Sequence, residues 1–121
     1  LYFPIIKGIT TTSYTLVDQQ DKFVVVPTTD NFAGNENYNW YINDETYVII
    51  GDATRKETGY TATAYPPGAD IPKSAIYTGA GISIMAKPTF ATRELTVRIE
   101  GVQSGAQATV TVSIKPNVAT V

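Results

Sequence analysis

The chain has no cysteine and no histidine. Without cysteine there are no disulfide staples and no thiol nucleophile. Without either residue, Cys/His zinc sites and histidine acid–base catalysis are excluded. Buried apolar surface must therefore carry the stability. Charge is also sparse: charged residues make up 17 % of the 121-residue chain and the net charge is −2. No cluster of Lys and Arg is present to neutralise phosphates, so nucleic acid is not an expected partner. No apolar run approaches the ~20 residues of a spanning helix, so no membrane span is expected. No segment sustains a helical period, and no residue set has the spacing of a catalytic motif. The expectation is a non-enzymatic protein without a cofactor.

What is present is alternation. Arg93 to Lys115 reads R-E-L-T-V-R-I-E, a glycine-bearing loop, then Q-A-T-V-T-V-S-I-K. Leu95, Val97 and Ile99 fall on one side of the first arm; Thr96, Arg98 and Glu100 fall on the other. Val110, Val112 and Ile114 oppose Thr109, Thr111 and Ser113 in the second. A period of two marks strands with one buried and one wet face. Gly101 and Gly105 supply the permissive backbone of a hairpin loop.

Further strands are expected over 13–17, 22–26, 37–43, 46–50, 60–65, 74–77 and 81–87. The run from Lys22 to Val26, apolar after its lysine, reads as a central strand buried on both faces. Residues 28–35, 51–59 and 66–74 read as loops, and 74–77 as a short edge strand. The 121 residues make one domain, 1–121. Its first segment, 1–9, is apolar but broken by Pro4 and Gly8, which suits an N-terminal arm or edge strand. The start at Leu1, without a charged leader, reads as a processed or excised chain. A Thr-, Tyr- and Asn-rich chain of low charge suits an extracellular, cell-surface or virion setting.

Tyr38-Asn39-Trp40-Tyr41-Ile42-Asn43-Asp44 resembles the Y-x-W-x-[FI]-x-D strand of PKD-type and related bacterial immunoglobulin-like domains of extracellular proteins. Leu95 to Ile99, a glycine loop and Thr109 to Val112 are similar to that family's last two strands. The resemblance implies an all-β, immunoglobulin-like antiparallel β-sandwich of seven to nine strands. It also implies a structural or assembly module of a surface structure, such as a filament, surface-layer or virion subunit. The expected partners are copies of itself or neighbouring domains of the same structure. The alternative is a carbohydrate-binding or adhesive module with a glycan as partner.

Several residue sets are candidate sites. Trp40 and Tyr38 share a face with Ile42, which suits a core plug rather than a sugar platform. Asn39, Tyr41, Thr96, Arg98, Thr109 and Thr111 fall on the opposite faces of their strands and form a candidate polar binding face. Leu1, Tyr2, Phe3, Ile5 and Ile6 form a candidate assembly arm. Such an arm either completes the sandwich of a neighbouring subunit by strand exchange or pairs with the last strand of its own domain. No metal is expected; Asp30, Asn35 and Glu36, crowded around Gly34, are the one Ca²⁺ candidate. Turn formation explains the same residue types equally well. Asp18, Asp21, Asp44, Glu45 and Asp52 include acid pairs of the kind glycosidases use, but on turns they read as solvated turn residues. Some surface immunoglobulin-like domains join a first-strand Lys to a last-strand Asn, which here would pair Lys7 with Asn117.

Overall fold

Strands form where the sequence alternates, and at some places where it does not. The computed structural model describes residues 4–30, 32, 36–56 and 74–117. Among these residues there are eleven strands and no helix. They are β1 (Ile6–Lys7), β2 (Ser13–Val17), β3 (Lys22–Val25), β4 (Thr28–Thr29), β5 (Tyr38–Ile42) and β6 (Val48–Gly51). There follow β7 (Thr54–Lys56), β8 (Ala75–Gly79), β9 (Ile82–Ala86), β10 (Arg93–Gly101) and β11 (Gln107–Lys115). The expected strand over 60–65 and most of the 66–74 loop lie outside the described residues.

One sheet has six strands in the order β2-β11-β10-β5-β8-β7. A second has three, β3-β9-β6, and a third joins β1 to β4. The long hairpin β10–β11 pairs Arg93 with Ile114 through Glu100 with Gln107, as its alternation requires. The inward residues of both larger sheets belong to one hydrophobic cluster. Trp40, Ile42, Val97, Ile99, Val110 and Val112 come from the six-stranded side, and Phe23, Val25, Val48, Ile82 and Ile84 from the three-stranded side. The arrangement is all-β and consistent with a β-sandwich, in which two inner faces exclude water from each other.

Trp40 lies at the centre of this core with no exposed surface. Its register partners are Ile99 on β10 and Tyr77 on β8. Its indole N–H donates to the Gly79 carbonyl at 3.2 Å, so burial leaves no polar atom unpaired.

The structure corrects several expectations. The strand total exceeds nine because two of the strands, β1 and β4, are only two residues long. The sheets are not wholly antiparallel, because β2 runs parallel to β11, with Ser13 opposite Thr111 and Val17 opposite Lys115. Gly8, at φ +92°, and the residues after it carry the chain from β4's side across to β11. The loop expected over 51–59 contains β7, which pairs with β8 through its backbone. Its three exposed residues, Thr54, Arg55 and Lys56, show no alternation to read, and charges of this kind blunt a sheet edge. β8 is therefore not an edge strand; it lies between β5 and β7.

β3 is not buried on both faces. It is an edge of the three-stranded sheet, and Val24 on its outer side is 56 % exposed. Nothing among the described residues covers that side.

The face assignment of β11 has a direct test. Val112 is fully buried and Thr111 half-buried on the opposite side. Val112→Asp buries an unpaired carboxylate and is expected to cost about 3–5 kcal/mol or prevent folding. Thr111→Asp is expected to cost about 1 kcal/mol or less. Urea titrations of both variants check this; equal losses would contradict the assignment.

Candidate functional site

The six residues of the expected polar face all lie on the outer side of the six-stranded sheet. Three adjacent strands, β11, β10 and β5, bring them together. One cross-strand row runs Thr109, Arg98, Tyr41 and Ile76. A neighbouring row joins Thr111 to Thr96, whose N–H donates to Asn43 Oδ1 at 2.8 Å. Asn39 lies opposite Glu100 and accepts from Lys56 Nζ at 3.3 Å.

Within this ladder Tyr41 is already engaged. The Arg98 guanidinium lies 3.9 Å from its ring centroid, a cation–π contact. Its hydroxyl donates to Glu100 Oε1 at 3.2 Å, and Arg98 Nη1 lies 3.6 Å from Glu100 Oε2. One ring face is therefore closed to a sugar. A groove of about 430 Å³ opens beside it, lined by Tyr41, Ile42, Ala75, Ile76, Thr96 and Arg98 among others. On the outer face β8 sets Ile76 next to Tyr41, whereas the Ile42 and Ala75 side chains beside them point into the core. That mixture suits an apolar group with a polar flank.

Of the expected arm, Leu1, Tyr2 and Phe3 lie outside the described residues. Ile5 is exposed and Ile6 is buried in the core. Among the described residues the arm pairs with β4 of the same chain, Ile6 opposite Thr29, and it is β2 that lies along β11 from Thr111 to Lys115. Asp30 fastens it: Ile5 N–H donates to Asp30 Oδ1 at 2.6 Å, and Asp30 N–H donates to the Ile5 carbonyl at 3.0 Å.

Glu36, proposed as a cation ligand, is a buried structural carboxylate. It accepts from Gln103 N–H at 3.1 Å, Ser104 N–H at 3.0 Å, Ser104 Oγ at 2.8 Å and the Thr29 hydroxyl. A cation here would have to displace these donors. Asn35 lies outside the described residues, and no cluster of three or more His, Cys, Asp or Glu suited to a metal occurs among the described ones. Burial is the largest influence on the Glu36 carboxyl and pushes its pKa up. The bonds from Thr29, Ser104 and Gln103 together outweigh it, and the group ionises below its ordinary value.

Asp18, expected to be solvated, is also buried. Its carboxylate accepts from Thr89 N–H at 2.8 Å and Asn117 N–H at 3.0 Å, tying the β9–β10 loop to the chain after β11. Asp21 accepts from Val17 N–H at 2.8 Å. Glu45 accepts from Tyr77 Oη at 2.5 Å and pairs with Arg55 at 2.9 Å. These acids hold backbone and side chains. Lys7 and Asn117 are at opposite ends of the sandwich: β2 runs parallel to β11, so residues before Ser13 lie toward the Thr111 end, away from Lys115.

Sequence reasoning missed the two buried carboxylates. Gly101 carries the signal for one: a Cβ there would lie 2.6 Å from Glu36 Oε1, so an apolar side chain cannot continue the inward row of β10.

Glu36 gives a pH prediction. Its folded pKa is depressed, so its stabilisation is fully present above the unfolded value near 4.5 and is lost as pH falls through the folded pKa. Glu36→Gln is expected to cost about 1–3 kcal/mol at neutral pH. The difference from the parent chain should shrink below that range, as read by melting temperature against pH. A difference that stays constant to the acid limit would contradict the role. No family model matches this chain and no curated protein matches it, so geometry itself is the guide to function.

Proposed function

We propose that this chain is a non-enzymatic, immunoglobulin-like assembly module of an extracellular surface structure such as a filament, surface layer or virion. The observation that carries the reading is the outer face of the three-stranded sheet. Its outward positions include Val24 on β3, Met85 on β9 and Ile49 on β6, exposed by 56 %, 44 % and 53 %. Met85 is the register partner of both Ile49 and Lys22, so these side chains adjoin. Val26, 69 % exposed, extends the patch along the chain after β3. A half-solvated sheet should alternate apolar in and polar out. Here each of the three strands puts a large apolar side chain outward, beside Lys22, Ser83 and Gly51 on the same face. Contiguous exposed apolar patches of this kind mark protein contacts.

The immunoglobulin-like assignment is supported by Trp40 buried on β5, which lies beside β10 of the β10–β11 hairpin, and by a first segment that touches β4 and then runs parallel to the last strand. The extracellular setting is supported by the cysteine-free, Thr-rich, sparsely charged sequence. The arm belongs to the same reading. β1 meets β4 over two residues, a contact short enough to be remade with a neighbouring subunit. The glycan alternative is less well supported, because Arg98 already stacks on Tyr41.

Two experiments test this proposal. Val24→Glu with Met85→Glu alters side chains exposed in the monomer, so stability should change by about 0.5 kcal/mol or less per site. Concentration-dependent association, read by sedimentation, should be lost. Unchanged association would remove this face from the account. Deletion of residues 1–9 removes buried Ile6 and should lower stability by about 2 kcal/mol. If the arm exchanges, the deletion also ends polymerisation, and added peptide restores it; polymerisation that survives the deletion contradicts exchange.

A further inference from the structure

The order of the six-stranded sheet puts an early strand and the last strand side by side. β2 forms its edge, next to β11, and the two run parallel. In a parallel pair the bonds are evenly spaced along the strands. Here the pairing runs from Ser13 opposite Thr111 to Val17 opposite Lys115. A backbone bond closes each end of this ladder. Thr111 N–H donates to the Thr12 carbonyl at 2.8 Å, and Asp18 N–H donates to the Lys115 carbonyl at 3.0 Å. The Asp18 carboxylate also accepts from Asn117 N–H at 3.0 Å, so one residue grips both β11 and the chain leaving it. Leu16 is buried in the core, and the Tyr14 ring lies 4.5 Å from that of Phe23, edge to face. Both side chains key β2 against sliding.

Tension along the chain meets this ladder in one direction. A pull on the N-terminal side draws β2 backward along its own axis. A pull on the C-terminal side draws β11 forward along the same line. Because the strands are adjacent and parallel, these forces slide one past the other, and all bonds of the ladder share the load. β11 does not slip out alone, because its other edge is paired with β10 from Arg93–Ile114 to Glu100–Gln107. The two-residue β1–β4 pairing lies before the ladder on the N-terminal side and yields first.

We propose that the β2–β11 ladder, gripped by Asp18, is a tension-bearing clamp, and that the domain carries load along its chain. The property belongs to one folded chain and stands whichever surface assembles copies.

Optical-tweezer unfolding tests this, and the absence of cysteine allows handles at chosen points. In one attachment, cysteines added beyond both ends hold the handles. In the other, the C-terminal handle moves to Val102→Cys, in the β10–β11 loop at the end where β2 begins. That pull opens the ladder from Thr12–Thr111, one bond at a time. Forced unfolding follows the barrier rather than equilibrium stability, so the end-to-end pull should need at least about twice the force of the loop pull. A first step of about 4 nm or less, the reach of residues 1–12, should precede it as β1 releases. Asp18→Asn should lower the end-to-end force; Tyr14→Ala takes its place if that variant does not fold. Ile84→Val, in the three-stranded sheet, should lower the melting temperature and leave the end-to-end force unchanged. Equal forces in the two attachments would overturn the proposal, as would an end-to-end force that Ile84→Val lowers as much as the β2 variant does.

Discussion

Everything in this fold depends on two sheets hiding their apolar faces from water in a chain with no covalent cross-link. Trp40, Ile42, Val97 and Ile99 on one side meet Phe23, Val25, Ile82 and Ile84 on the other. The rows are set by register: Trp40 between Ile99 and Tyr77, Ile42 between Val97 and Ala75. A slip of one residue in β10 would turn Leu95, Val97 and Ile99 outward and Thr96, Arg98 and Glu100 inward. The hairpin partner β11 carries the same alternation over nine residues, so any slip exposes both strands at once.

Two buried carboxylates do the fastening that cysteines do elsewhere. Glu36 gathers donors from Thr29, Gln103 and Ser104, holding the β10–β11 loop against the approach to β5. Asp18 holds Thr89 and Asn117, partners distant in sequence, at the other end of the sandwich. Charge-assisted bonds of this kind are strong where water is excluded, and they leave no lone carboxylate in the core.

The β10–β11 hairpin, β5 and the inward side of Trp40 were legible because their alternation is strict. The polar face was legible for the same reason: Thr96, Arg98 and Tyr41 are each one residue out of phase with a core residue. β7 was not, because Thr54, Arg55 and Lys56 form a strand through backbone bonds alone. Burial of Asp18 and Glu36 was hidden too, since an acid on a turn reads the same whether it caps backbone or faces water. The groove depends on β8 lying beside β5, a pairing between segments separated by an intervening stretch that no local pattern announces.

β3 is the most informative disagreement. Lys22 to Val26 reads as buried on both faces, yet one chain buries only one. β6 and β9 share this property through Ile49 and Met85. The two findings agree if the second face is covered by another molecule in the assembled state. Methyl NMR across a concentration series tests that claim most directly. The account predicts that the Val24, Ile49 and Met85 methyls shift together and saturate while Val97 and Val112 stay fixed. Outer-face methyls that hold their monomer positions to the solubility limit would contradict it.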